Sequence, residues 1–232
     1  MIKETKVLKT LYKELYSVLP SDFEQRIYPF FVQVGKKYYE TEKQCLFIGK
    51  SENGWVTDSR NVDELFDIKN ENRIVNRHDQ MEWVNKLEGP NEVYNTKKSA
   101  FWRVVKGISK AVCNKDDWYN HIAWSNLYKL SPESGNPSSW LQGIQRDNCV
   151  KILNEEINIL KPKYVIFLTS NWEQFYIESF GIDVKKTKKI KWTGYETHYR
   201  NYDGKLFVQS RHPQGKDENT HIEAITKIVK DS

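Results

Sequence analysis

Four short apolar runs, each closing on a polar stretch, narrow the folds open to this chain. Cys45–Ile48 leads into Gly49-Lys50-Ser51-Glu52-Asn53-Gly54, and His121–Trp124 leads into Ser125-Asn126-Leu127-Tyr128-Lys129. Tyr164–Leu168 leads into Thr169-Ser170-Asn171, and Leu206–Val208 is followed by Ser210-Arg211-His212-Pro213-Gln214-Gly215. Short apolar runs bounded by turn residues read as buried strands. Helical patterns separate them, which is the alternation of an α/β protein with a central, mostly parallel sheet, here of four strands. An open parallel sheet binds its ligand outside the carboxyl ends of its strands. The pattern therefore predicts that Glu52, Asn53, Asn126 and His212 meet in one crevice.

The intervening segments carry helical periodicity. Val7, Leu8, Leu11, Leu15 and Leu19 predict an N-terminal helix stopped by Pro20, with a second, shorter helix through Phe23 and Ile27. Phe101, Val104, Val105, Ile108 and Val112 mark a helix from about Lys98 to Cys113, with Ser99 as a candidate cap. Ser138 or Ser139 opens a long helix to about Leu160, Asn171 is read as the cap of a helix ending at Gly181, and Asp217-Glu218 begins a C-terminal one. Thr187 to Val208 reads as strand-rich, and Asp203-Gly204 carries a hairpin signal. Residues 1–232 are read as a single α/β domain. Within it, 1–40 form an N-terminal helical extension, and 58–95 an insertion with one helix near Trp83 and a turn at Gly89-Pro90-Asn91.

Composition excludes several classes. No run is long and apolar enough to span a bilayer, and the first residues lack the apolar stretch of a secretory signal, so a cytoplasmic protein with no membrane partner is expected. Three widely spaced cysteines, Cys45, Cys113 and Cys149, fit neither a disulfide framework nor a four-thiolate metal site. No zinc-protease motif or nucleophile elbow is present, and no metal or cofactor is expected. The net charge of +5 permits a polyanionic partner without requiring one. The run Lys185-Lys186-Thr187-Lys188-Lys189-Ile190-Lys191 beside Trp192 suits a phosphate backbone with stacked bases, and suits equally a lysine-protected sheet edge.

Each candidate residue has a chemical reading and a plainer one. His212, held extended by Pro213, can donate to a developing negative charge, or can tether a loop. Asn126 can read a base edge, or close a turn. Glu52 can activate water and Asn53 orient it, while Gly49 lets the backbone approach a ligand. Trp55 is a candidate stacking wall, Phe66 a second, although a buried Trp is commoner. Lys50 and Ser51 do not make a phosphate loop, because the second glycine element is missing.

Taken in order, Gly49-Lys50-Ser51-Glu52-Asn53-Gly54, Ile122-Ala123-Trp124-Ser125-Asn126-Leu127, Leu160-Lys161-Pro162-Lys163-Tyr164-Val165-Ile166 and His212-Pro213-Gln214-Gly215 resemble the motifs of the uracil-DNA glycosylase superfamily. The resemblance runs from about Cys45 to the C-terminus. It implies a three-layer α/β/α fold, a monomer, and DNA, single- or double-stranded, as partner. It also implies hydrolysis of the N-glycosidic bond of a base flipped out of the strand. On that basis His212 stabilises charge on the departing base, Asn126 reads the base edge together with Gly49, Ser51 and Trp55, and the first loop positions water through Glu52 and Asn53. Lys50, Lys129, Lys188, Lys189 and Arg211 would meet the DNA backbone. The chain departs from the family pattern at Ser51 and Glu52, where the family carries an acidic or amide residue and proline, and at Gln214, where it carries serine. Two further readings stay open: a non-catalytic binder of nucleic acid or a free base with the same fold, and an α/β enzyme acting on a nucleotide or nucleoside.

Overall fold

The computed structural model describes residues 5–86, 95–183 and 186–232. Along the chain these form strands β1 (Tyr28–Pro29), β2 (Gln33–Val34), β3 (Cys45–Gly49), β4 (Ile122–Asn126), β5 (Leu130–Ser131), β6 (Tyr164–Leu168), β7 (Lys188–Trp192), β8 (Tyr195–Tyr202) and β9 (Lys205–Ser210). The helices are α1 (Thr5–Ser17), α2 (Val62–Leu65), α3 (Trp83–Lys86), α4 (Ala100–Cys113), α5 (Ser139–Leu160), α6 (Gln174–Ser179) and α7 (Glu218–Lys230). The protein is mixed α/β, and it divides into two compact units. The first comprises Met1–Val32, Lys50–His78 and Ser125–Lys161, and the second comprises Gln33–Gly49, Asp79–Trp124 and Pro162–Ser232.

The second unit is built on a seven-stranded sheet in the order β2-β4-β3-β6-β9-β8-β7. The four strands expected from the apolar runs are consecutive within it, as β4, β3, β6 and β9. β3 pairs parallel with β6, and β6 parallel with β9. All five residues of β3 and of β6 are buried, as a strand covered on both faces requires. The expected count of four is corrected to seven because antiparallel strands extend both sides. β2 pairs with β4, β8 with β9, and β7 with β8. Two two-residue turns make the β7-β8-β9 meander. Thr193-Gly194 and Asp203-Gly204 all have positive φ (37°, 79°, 49° and 71°), the geometry that matches strand twist in a tight hairpin. Trp83, Trp102, Trp124 and Phe101 pack edge-on or tilted against one another, with centroids 4.9 to 6.4 Å apart. α4 packs along α7.

In the first unit α1 packs on α5, burying Leu8, Tyr12 and Leu15 from α1. The helix expected through Phe23 and Ile27 does not form, and residues 1–40 are not purely helical, since they supply β1 and β2. Tyr28–Pro29 instead pairs antiparallel with Leu130–Ser131, and Phe30 N–H donates to Lys129 O at 2.8 Å. Among the described residues of the 58–95 region only short helices form, and the turn expected at Gly89-Pro90-Asn91 lies outside the described residues.

The caps follow the sequence closely. Ser99, Ser138 and Asp217 each accept a backbone N–H of the first helical turn, from Trp102, Leu141 and Thr220. Asn171 does not cap α6; Glu173 holds that position. Asp217 both caps α7 and places a negative charge at its N-terminus. Asp217→Ala is expected to cost about 1 kcal/mol, read as a shift of the denaturation midpoint without a change in slope.

Candidate functional site

The loop after β3 and the stretch after β4 meet inside the first unit. Glu52 is buried, and its carboxylate accepts from Asn126 Nδ2 at 3.1 Å and from Ser131 Oγ at 2.7 Å. Burial pushes the Glu52 carboxyl up to about 8. The two side-chain hydrogen bonds and nearby Lys129 oppose that rise without cancelling it. Asn126 is buried too, so its amide is spent at least partly on Glu52. The remaining residues of the first loop sit more openly. Asn53 is exposed, and Ser51 is half-buried with its hydroxyl 3.5 Å from Asn136 Oδ1. Gly49 is buried at the end of β3, and Lys50 O accepts from Tyr128 N–H at 3.0 Å. Gly54 has φ 69° and donates its N–H to Pro132 O, which closes the turn. Trp55 packs edge-on against Phe30 at 5.3 Å, and Arg77 sits 4.9 Å over its ring. Phe66 is a core residue packed on Tyr12 and Phe31.

The stretch Ser125–Lys129 corrects its reading as a polar loop, because every residue from Ile122 to Leu130 is buried. A buried irregular backbone must find partners. Gln145 of α5 provides them, its Oε1 accepting from Lys129 N–H (3.2 Å) and Leu130 N–H (2.9 Å) while its Nε2 donates to Leu130 O (2.9 Å). The assignment of Lys129 to a DNA backbone is corrected as well. Its side chain is fully buried, and Nζ donates to both Glu156 oxygens (2.9 and 2.8 Å) and to Ser125 Oγ (2.6 Å). Ser125 Oγ in turn donates to Glu156 at 2.6 Å. No phosphate can reach an ammonium enclosed in this way. Gln145 and Glu156 escaped the sequence reading. Their signal was position, since both interrupt the inward stripe of α5 that includes Leu141, Cys149, Ile152 and Leu160.

His212 belongs to the second unit. The parallel pairing of β6 with β9 sets their carboxyl ends side by side, Leu168 opposite Ser210. Beyond those ends the two loops are tied together. Thr169 and Ser170 N–H groups donate to Ser210 O, and His212 N–H donates to Ser170 Oγ at 2.6 Å. Gln214 N–H donates to His212 Nδ1 at 3.4 Å, which leaves the ring proton of a neutral imidazole on Nε2. Ser170 and Asn171 both adopt left-handed φ, 58° and 76°, a costly conformation for two consecutive non-glycine residues. Arg211 is half-buried and reaches Asn171 Oδ1 at 3.4 Å. Lys188 and Lys189 are exposed on β7, the last strand of the sheet, and Lys189 pairs with Glu196 at 2.9 Å.

The cysteines are free thiols, with Cys45 and Cys149 buried. Among the described residues no group of three His, Cys, Asp or Glu side chains is placed to hold a metal ion, and no helix is long and apolar enough to cross a membrane. No family model matches the sequence, and no curated protein does.

Proposed function

We propose that this chain is a divergent glycosylase of the uracil-DNA glycosylase type, with that family's three-layer arrangement, acting on uracil or another damaged base in DNA. The observation that carries the reading is the seat of His212. Its loop leaves the carboxyl end of one parallel strand and is pinned by Ser170 from the loop of the neighbouring strand. With Nδ1 accepting from Gln214, a neutral imidazole here carries its proton on Nε2. In the reaction the C1′–N bond breaks, the sugar becomes oxocarbenium-like, and the bond's electron pair leaves with the base. His212 Nε2–H stabilises the charge on the base oxygen, water adds to C1′, and a proton is lost to solvent. Glu52 is not assigned as the base for that water at neutral pH, because a carboxyl titrating near 8 holds its proton there.

The test is incubation with oligonucleotides bearing uracil or other deaminated bases, followed by alkaline cleavage. Abasic sites are expected in the uracil strand, with the rate reduced roughly a hundredfold or more by His212→Ala. A folded protein that yields no product on any deaminated base overturns the proposal.

One observation favours the non-catalytic reading instead. Glu52 and Asn126, expected to serve water and base, are bonded to each other and buried. That reading requires salt-dependent oligonucleotide binding with no abasic product.

A further inference from the structure

The second unit contains a cleft of about 870 Å³ that the hydrolytic reading does not use. Its wall is the β7–β8 hairpin, and its other side comes from the loops after β6 and β9. Arg211 and Lys191 line it as cations, Trp192 and Tyr195 as rings, and Asn171 and Glu173 as polar groups.

The floor is rigid. Trp192 Nε1 donates to Thr197 Oγ1 at 2.9 Å, the Thr197 and Ser210 hydroxyls are 2.6 Å apart, and Ser210 Oγ is 2.7 Å from His221 Nε2. His221 then stacks on Trp192, with centroids 4.2 Å apart and planes within 8°, so the four side chains close a ring. All four are buried, and burial pulls His221 down to about 3, so the imidazole is neutral at working pH.

The rim carries two cations, Arg211 and Lys191, and two carboxyl groups, Glu173 and Glu196. Among the described residues neither Arg211 nor Lys191 stands in an ion pair. The two carboxyl groups of the cleft are otherwise engaged. Glu173 is buried, accepts from Thr169 Oγ1 at 2.5 Å, and is shifted upward by its burial. Glu196 is paired with Lys189 at 2.9 Å and faces His198 at 3.5 Å. Tyr195 is half-buried, 5.1 Å from Trp192, with Lys216 Nζ 5.3 Å over its ring. Two cations outside any ion pair among the described residues, Arg211 touching the Asn171 amide oxygen at 3.4 Å, beside an aromatic wall and several amides and hydroxyls match a phosphate joined to a flat, polar ring.

We infer that this cleft binds a phosphorylated nucleotide, its phosphate on Arg211 and Lys191 and its sugar and base along Trp192 and Tyr195. This rests on the nucleic-acid reading above for the class of ligand, and adds to it a second station outside the reacting base. A phosphate of this kind comes either from an internal nucleotide of a strand or from a free nucleoside monophosphate.

The two sources are separated with two probes: a fluorescein-labelled single-stranded oligonucleotide of normal bases, followed by anisotropy, and deoxythymidine monophosphate, followed by calorimetry. The Arg211→Gln/Lys191→Gln variant is expected to weaken binding of at least one probe tenfold or more. Tyr195→Leu is expected to weaken it roughly tenfold through lost stacking. Lys227→Gln/Lys230→Gln on α7 removes the same charge and should change affinity less than twofold. Loss for the strand alone assigns the cleft to a strand segment, and loss for both probes assigns it to the nucleotide unit itself. Wild-type protein that binds neither probe, or equal weakening by the two double variants, overturns the inference. Turnover is read separately. Abasic-site formation with unchanged binding in Arg211→Gln/Lys191→Gln rejects the cleft and keeps the glycosylase, whereas cleft-dependent binding without turnover does the reverse.

Discussion

Replacing Lys129 with Met should cost about 3–5 kcal/mol of stability and lower the melting temperature by roughly 10 °C. The size follows from what would be left behind. Glu156 is fully buried on α5, and its two oxygens lie 2.9 and 2.8 Å from the Lys129 ammonium. With the ammonium gone, Ser125 would be the one hydrogen-bond donor left to that carboxylate among the described residues, at 2.6 Å. A buried charge without its partner either remains at high cost or takes up a proton, and both routes weaken the fold. Glu156→Gln leaves the opposite orphan, a buried ammonium, and should cost a similar amount. Lys129→Met combined with Glu156→Leu removes both charges together. That double variant is expected to recover most of the loss, since an apolar pair of similar volume often replaces a buried ion pair without penalty. The measurement is a double-mutant cycle by guanidinium denaturation. Additive effects, or a single-variant cost below 1 kcal/mol, would show that the pair is not the anchor described here.

The same residues mark the limit of what the chain discloses before its structure is known. Features set by neighbours in sequence were legible: the caps at Ser99, Ser138 and Asp217, the Asp203-Gly204 turn, and the runs that became β3, β4, β6 and β9. Each depends on a local rule, whether a hydroxyl or carboxylate within three residues of a free N–H or a residue tolerant of positive φ. Ser125–Lys129 failed that logic. By polarity it reads as solvent-facing, yet it is buried, because Gln145 and Glu156 supply partners from 16 and 27 residues away. Lys188-Lys189-Ile190-Lys191 was ambiguous for a related reason. A lysine run has the same composition on a guarded sheet edge as on a nucleic-acid surface, and its place on β7, the last strand in the order, is a long-range feature that the run itself does not encode. The grouping of Glu52 with Asn126 was within reach, since both follow strand ends. Their mutual hydrogen bond was not, since that depends on the distance between loops 74 residues apart.

That bond makes Glu52 the source of a measurable pH dependence. An unfolded glutamate titrates near its ordinary value of about 4.3, whereas burial lifts Glu52 in the fold to about 8. Between those values the native state holds a proton that the unfolded chain has released, so stability falls as pH rises through this window. The contribution is fully present below the unfolded value, is lost progressively up to about 8, and is flat above it. At about 1.4 kcal/mol for each unit of separation, the full loss is a few kcal/mol. Lys129 lies close to the group, as do Tyr12, Tyr16 and Cys149, which burial holds above this window. Glu52→Gln imitates the protonated carboxyl at every pH. Its carbonyl can accept from Asn126 and its amide can donate to Ser131, whose hydroxyl accepts as readily as it donates. The variant should therefore match the wild type near pH 5 and exceed it by a few kcal/mol near pH 9. Denaturant midpoints for both proteins across that range give the answer as a difference, in which every other titrating group cancels. A difference that stays level from pH 5 to 9 would mean that Glu52 is ionised throughout, and its exclusion as the water-activating base at neutral pH would fall with it.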